Sequence, residues 1–345
     1  MLLLSLASLA WVAAAAKHRA PQGLPLQGED APLPPSLLLL SLHGVKAEAA
    51  KKSNQLRRFT VSGARSTSGT SKLMLAPLPS LELIGEDGGS TLRYPRSLAA
   101  RGDTLFVASA GGGLAGSAVL STLLPTSCAQ TAPLHAQPAC PGSVLDHPYG
   151  VAISGSDIIV TNQGSGDVTR CAGDGTSRVI ARHPTALTSA GVSNASLPRS
   201  GEAGSPVRGI AVDPATGSFY VAAKDDNTVF VYSADGRPQA TIKCKAPIVL
   251  LWDVARGGLF IGSASKKAVM VAFWNAKLSA ITVTFTHDDG AGHAAGMAIV
   301  GGALLVLGQA AGSLYQFDLA TGRMVATLAE GLNRPEGLLS VPCSQ

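Results

Sequence analysis

The segment PVRGIAVDPATGSFYVAAKDDNTVFVYSADG, residues 206 to 236, holds three short apolar runs separated by turns rich in Asp, Asn and Gly. Gly209 permits a sharp turn before the first run. The following runs are rich in β-branched and aromatic residues, which favour strands. A fourth run, residues 239 to 242, follows the Asp235-Gly236 turn. The segment therefore predicts four antiparallel strands in one small sheet.

The same pattern recurs along the whole chain. Further copies begin at residues 94, 147, 246 and 293, and a last copy at residue 333 has only its first strand. Residues 36 to 63 match the second and third strands of a copy, so they supply what the last copy lacks. The positions just after the turn recur at intervals of roughly 40 to 60 residues, a spacing typical of propeller blades: Ser97, Gly150, Gly209, Val249, Gly296 and Gly337.

We therefore expect an all-β fold, namely a six-bladed β-propeller of four-stranded antiparallel blades. Its N- and C-terminal strands share one blade, which removes the exposed edge that an open sheet would leave. Five and seven blades are the alternatives. Residues 36 to 345 form this propeller, and residues 17 to 35, which include five prolines, are predicted to be an extended linker.

Residues 1 to 16 form an apolar run that ends in small residues. This is typical of a secretory signal peptide, although the basic n-region is missing. The run is shorter than the roughly 20 residues of a membrane helix, so no membrane span is expected after signal removal. The prediction is a secreted protein or one in the lumen of the secretory pathway. Targeting to an organelle by an N-terminal presequence is the alternative.

The charge distribution argues against a nucleic-acid partner. The formal net charge is +5, but residues 17 to 72 hold nine Lys and Arg against three acids, which leaves the rest of the chain nearly neutral. Aromatic residues are only 5% of the chain, too few for a base-stacking surface. We expect the partner to be a protein, a peptide or a small molecule.

The five cysteines suit an oxidising compartment only in part, because their number is odd. Cys128 and Cys140 lie in one Pro- and Ala-rich insertion and are the candidate disulfide. Buried, unpaired cysteines are the alternative. Asn194, in the sequence Asn-Ala-Ser, is the candidate glycosylation site.

Four stretches carry a resemblance to a known family: PYGVAIS, IIVTNQGSGDV, the segment at residues 207 to 236 and RPEGLLS. They resemble NHL repeats and the related repeats with a YVTN-type second strand, over residues 36 to 341. The resemblance implies a propeller fold. Propellers of this kind include lyases, lactonases, RNA binders and sensors, so function has to be argued from site residues.

The residue before the turn glycine begins each inner strand, where propellers place ligands at the mouth of the channel. Four of these positions are polar, and we identify them as ligand-binding candidates. Two guanidinium groups and a phenol suit a carboxylate or phosphate. The alternative is a solvated rim in which the arginines pair with the glutamate. The six positions hold Arg96, Tyr149, Arg208, Ile248, Ala295 and Glu336.

The amidating lyases that act on peptidyl-hydroxyglycine have similar repeats and bind zinc through three histidines at strand starts. Here those positions hold Tyr149, Arg208 and Ala295, so the zinc set is not reproduced. His147 and His293 each lie three residues before the turn glycine. We interpret them as turn histidines, since no third ligand can be assigned.

Gluconolactonase-like propellers imply another site, a divalent cation such as Ca²⁺ held by Glu336, Asn162 and Asp225. Other catalytic signatures, such as a Gly-x-Ser-x-Gly elbow, are missing. The favoured hypothesis is a binding or scaffold module without a cofactor. The alternative is a metal-assisted lyase or lactonase that uses Ca²⁺ or Zn²⁺.

Overall fold

The computed structural model describes residues 33, 36–43, 55–64, 72–84, 92–111, 116–125, 127–128, 131–140, 142–183, 207–265, 267–288 and 292–343. The signal-like segment, the glycosylation candidate Asn194 and all of the linker except Leu33 lie outside these residues.

The described residues form strands with almost no helix. In chain order the strands are β1 (Ser36–Leu42), β2 (Gln55–Ala64), β3 (Lys72–Leu81), β4 (Leu83–Ile84), β5 (Pro95–Arg101), β6 (Thr104–Ala110), β7 (Ser117–Leu123), β8 (Leu134–His135), β9 (Gln137–Cys140), β10 (Pro148–Ser154), β11 (Asp157–Asn162), β12 (Asp167–Cys171), β13 (Ser177–Arg182), β14 (Val207–Val212), β15 (Phe219–Ala223), β16 (Thr228–Tyr232), β17 (Pro238–Lys243), β18 (Pro247–Asp253), β19 (Gly258–Ser263), β20 (Val269–Asn275), β21 (Ala280–His287), β22 (Ala294–Val300), β23 (Ala303–Gly308), β24 (Ser313–Asp318), β25 (Met324–Ala329) and β26 (Pro335–Pro342).

These strands form six four-stranded antiparallel sheets, which are the six expected blades. From the inner to the outer strand they are blade 1 (β5-β6-β7-β9), blade 2 (β10 to β13), blade 3 (β14 to β17), blade 4 (β18 to β21), blade 5 (β22 to β25) and blade 6 (β26-β1-β2-β3). Strands β4 and β8 add a short parallel pair. The six-bladed propeller is thus confirmed.

Blade 6 joins the two ends of the chain, as expected. Strand β1 pairs with β2 on one side and with β26 on the other, for example Leu39 with Leu339. The leucines of β1 are buried on both faces: Leu38 and Leu40 pack against blade 5, and Leu37 packs against blade 1. The strand is therefore apolar throughout, instead of alternating as a half-exposed strand would.

The hydrophobic core lies between blades. Six clusters of buried side chains are found in the described residues, one at each interface between neighbouring blades. Between blades 4 and 5, for example, Phe260, Phe285 and Phe317 pack edge to face, with ring centroids 5.7 and 6.1 Å apart. Because the packing is between blades, the inner strands are left to surround a central channel.

The turn glycines allow neighbouring inner strands to approach closely. A Cβ on Gly209 would lie 2.7 Å from the carbonyl oxygen of Ile248 in the next blade. A Cβ on Gly337 would clash with the carbonyl oxygen of Arg96. Glycine is therefore required here for close backbone contact, a reason distinct from the sharp turn expected from the sequence.

The predicted Cys128–Cys140 disulfide is wrong. Cys128 pairs with Cys343, just after β26, and Cys140 pairs with Cys171 at the end of β12. The cause is that Cys140 ends the outer strand of blade 1 and is buried in the core facing blade 2. Both bonds join neighbouring blades, and the Cα atoms are 5.6 Å apart in each. The two disulfides are compatible with an oxidising compartment.

Among the residues that the structure describes, no helical segment has the length and apolar composition of a membrane span.

We predict that Cys343→Ser lowers the free energy of unfolding by about 2 to 5 kcal/mol. The bond to Cys128 spans 215 residues and holds the strand that closes the ring. The matched control is Cys244→Ser, because Cys244 is a free, partly buried thiol. Denaturant unfolding under non-reducing conditions measures both. Equal stability of the two variants would contradict the prediction.

Candidate functional site

The inner strands begin with a recurring turn. In blades 1, 2, 4 and 6 the strand starts at a proline, and the residue before it has a left-handed backbone: Tyr94 (φ 52°), His147 (φ 54°), Ala246 (φ 42°) and Arg334 (φ 45°). Such angles are uncommon outside glycine. The residue after each proline is a candidate position, so this turn places the candidate side chains at one end of the channel.

A buried carboxylate is at the centre of the site. Glu336 has a side chain only 3% exposed, and its Oε1 lies 2.7 Å from Nη1 of Arg96. Gln309 Nε2 donates to the same oxygen at 2.6 Å. Tyr149 donates its hydroxyl to Oε2 at 3.5 Å. Because Tyr149 belongs to blade 2 and Glu336 to blade 6, this contact reaches past blade 1.

Two arginines lie next to the ring of Tyr149, one from each neighbouring blade. The Cζ atoms of Arg96 and Arg208 are 5.4 and 5.0 Å from the ring centroid, within the range of cation–π attraction. Arg208 Nη1 donates to Gln163 Oε1 at 2.6 Å. The buried Nε atoms of both arginines have no hydrogen-bond partner among the described residues.

The backbones of both arginines are held by the same device. The hydroxyl of Ser41, in blade 6, accepts from the Gly337 amide at 2.8 Å and donates to the carbonyl of Arg96. The hydroxyl of Thr161, in blade 2, accepts from the Gly150 amide at 2.8 Å and donates to the carbonyl of Arg208. In each case a hydroxyl of one blade positions the arginine of the next.

Burial dominates the electrostatics of this cluster. It raises the pKa of Glu336, although the nearby charges of Arg96, Arg208 and Arg334 oppose that shift. Burial, followed by the negative charge of Glu336, raises the pKa of Tyr149. Burial lowers the pKa of Arg208. The nearby carboxylates of Glu336 and Asp225 oppose that shift. The cluster thus holds two partly buried guanidinium groups against one buried carboxylate, and no ion pair of Arg208 is found among the described residues.

The structure therefore brings together Arg96, Tyr149, Arg208 and Glu336. Sequence reasoning missed three neighbours, Gln163, Gln309 and His43. Each directly follows the second strand of its blade, and its amide donates to the carbonyl of the residue that precedes the inner strand. The sequence contained a signal that could have identified them, because the three residues occupy one aligned position of the repeat.

The residues of the alternative cation site are placed differently. Asn162 is buried, with Nδ2 donating to Asp167 at 2.6 Å and to Thr169 at 2.9 Å, while its Oδ1 accepts from the Asp146 amide. Its amide is thus satisfied by protein groups. The side chain of Asp225 is 54% exposed. Within the described ranges, no three His, Cys, Asp or Glu side chains are grouped to hold a metal ion.

His147 and His293 both occupy turns. Their carbonyl groups accept from the amides of Gln163 at 3.0 Å and Gln309 at 3.1 Å. Burial lowers the pKa of each imidazole, and the positive charge of Arg208 lowers both further.

A cavity of about 540 Å³ occupies the channel. Arg96, Tyr149 and Glu336 line one end, and the other end reaches Val254, which is 70% exposed. The cluster therefore lies across the channel at the starts of the inner strands, while the cavity extends toward the turns that follow them.

No family model and no curated protein matches the chain. Solved structures do match. One is a chain of a nidogen/laminin complex, with a TM-score of 0.58 and 15% identity, covering 90% of this chain and 100% of that chain. These similarities show the fold alone. A protein of unknown function from Bacteroides caccae has a TM-score of 0.52 and 11% identity, covering 89% of this chain and 99% of the other. A streptogramin B lyase has a TM-score of 0.50 and 11% identity, with 87% and 86% covered. The NHL resemblance is not established by these matches.

His43 generates a prediction on pH. Burial, followed by the charges of Arg96, Arg334 and His147, lowers the pKa of His43 to about 4. Glu336 Oε1, 3.6 Å from its Nδ1, would act in the opposite direction, but that oxygen already accepts from Arg96 and Gln309. The unfolded chain, with a histidine pKa near 6.5, therefore takes up the proton first as the pH falls.

The contribution of the neutral His43 imidazole to the free energy of unfolding is fully present above about pH 6.5 and is lost as the pH falls toward 4. We expect His43→Asn to reduce the loss of unfolding free energy between these pH values by up to about 3 kcal/mol. Chemical denaturation of the variant and the parent across that range measures the difference. Parallel curves for the two proteins would contradict the assignment.

Proposed function

We propose that this propeller is a binding module that holds an anionic group of its ligand at the cluster of Arg96, Tyr149, Arg208 and Glu336. The observation that carries the proposal is the imbalance of charge, with two guanidinium groups against one buried carboxylate. A buried charge without a partner is costly, and a bound anion would neutralise it. The unpartnered Nε atoms add hydrogen-bond donors suited to a carboxylate or phosphate.

Surrounding groups strengthen the preference for an anion. Arg334 contributes further positive charge near the cluster, since, after burial, it lowers the pKa of His43. Lys224 also lies near, since, after burial, it lowers the pKa of His293, but it is paired with Asp225 at 4.0 Å. The anionic group belongs to a small ligand, a peptide or an acidic side chain of a partner protein. The nidogen/laminin structure shows that a similar propeller occurs in a protein complex, which supports the binding class. Secretion or residence in a lumen remains our proposal for the location.

We predict that acetate and inorganic phosphate bind the protein at low ionic strength and raise its melting temperature. Arg208→Met should weaken this binding about tenfold or more, because it removes the charge that lacks an acidic partner. Isothermal titration calorimetry measures the dissociation constants of both anions.

Arg237→Met is the matched control, since the Arg237 side chain is 84% exposed and pairs with Asp235 in a turn of blade 3. It should bind like the parent. If neither anion binds the parent, or if both variants lose binding equally, the proposal is wrong. Binding of Ca²⁺ or Zn²⁺ together with hydrolytic activity, both lost in Glu336→Gln, would support the metal-assisted lyase or lactonase instead.

A further inference from the structure

We infer that the ligand is an amphipathic carboxylic acid whose apolar body fills the channel cavity and whose carboxylate meets Arg96 at the end lined by Arg96, Tyr149 and Glu336. This inference rests on the proposed function and adds the chemical class of the ligand. It also assigns a second part of the site, the wall of the channel, which lies beyond the four charged and phenolic residues.

The cavity has the size and shape of a ligand site. Its volume is about 540 Å³, within the usual range for small-molecule pockets. The inner strands run four residue steps from the cluster to the end of the lining, which is about 13 Å at roughly 3.3 Å per step. An elongated molecule therefore fits better than a compact one.

The wall is apolar along this length. Between the cluster and the exposed end, the lining includes Val249, Leu251, Ile299 and Leu339, all only partly buried. Residues with partial exposure inside a channel retain apolar surface that a ligand can cover. Such a wall selects a hydrocarbon or aromatic body.

Among the described residues, polar side chains on the wall are few, and the only charged one is paired. They are Ser97, Ser340 and, near the exposed end, Asp253. The Asp253 carboxylate accepts from Arg256 Nη1 at 2.7 Å and from the Ala255 amide at 3.0 Å. No unneutralised charge therefore opposes an apolar body along this wall.

The end of the cavity at the cluster selects a hydrogen-bond acceptor. Arg96 lines the cavity and its Nε is a buried donor without a described partner. The Glu336 oxygens already accept from Arg96, Gln309 and Tyr149, so they offer little to a cationic head group. The additional charge of Arg208 favours an anionic head over a neutral one. One charged pole and an apolar wall together define an amphipathic acid.

The test is a titration of the full protein with decanoate, decanol and acetate. Binding is measured by calorimetry and by the fluorescence of Trp252, which lines the cavity. Decanoate should bind at least about 100-fold more tightly than acetate, because each buried methylene favours binding. Decanol should bind at least about tenfold more weakly than decanoate, because it lacks the negative charge of the carboxylate. Decanoate, but not acetate, should change the fluorescence.

Ile299→Asn should weaken decanoate about tenfold and leave acetate unchanged, because Ile299 lies on the wall away from the cluster. The matched control is Ile281→Asn, at an exposed position of β21, which should change neither. Arg208→Met should weaken both ligands.

The outcomes separate the two proposals. If acetate binds and decanoate binds no more tightly, the amphipathic acid is wrong and the anion site stands. If decanoate binds but Ile299→Asn has no effect, the channel is not the site of the apolar body. Equal binding of decanol and decanoate would overturn the carboxylate head group. If inorganic phosphate binds but no carboxylate does, the amphipathic acid is wrong and the anion site stands. If neither phosphate nor any carboxylate binds, both proposals fall.

Discussion

The pairing of β1 with β26 is the constraint on which both the fold and the site depend. It joins the two ends of the described propeller into one blade and buries a run of leucines between two neighbouring blades. The same pairing places Glu336 beside Arg96, although 240 residues separate them in sequence. Ser41 on β1 then connects Gly337 to the Arg96 carbonyl. The strands that close the ring thus also position Glu336 and Arg96 in the site.

Closure also explains why this end of the channel is charged. Buried ion pairs cost desolvation energy unless their remaining hydrogen-bonding groups are satisfied. Glu336 meets this condition with three donors, whereas Arg208 has one described hydrogen bond, to the neutral Gln163, and an unpartnered Nε. Replacing buried ion pairs with apolar packing is often neutral or stabilising, so stability alone does not account for this cluster, in agreement with the ligand site that we propose.

The repeat made most of the fold predictable, because turn glycines and apolar runs at fixed offsets specify blades. It also predicted that Arg96, Tyr149, Arg208 and Glu336 meet, since equivalent positions of a closed ring lie at the same level. Disulfide connectivity was not predictable, because Cys140 faces the next blade only once its strand has paired. Three further features were not predictable either: the hydrogen bonds of Asn162, the side chains that contact Glu336, and the apolar cavity. They depend on the directions of side chains from different blades, which the spacing within a single copy does not specify.

The most direct test of closure is native-state hydrogen exchange of the backbone amides. If β1 and β26 close a single cooperative ring, their protected amides exchange with the same free energy as those of β11 and β15, and that value equals the global free energy of unfolding. Exchange of β1 and β26 at a free energy several kcal/mol lower, while β11 and β15 stay protected, would show that the propeller persists without its closing strands and would contradict this account.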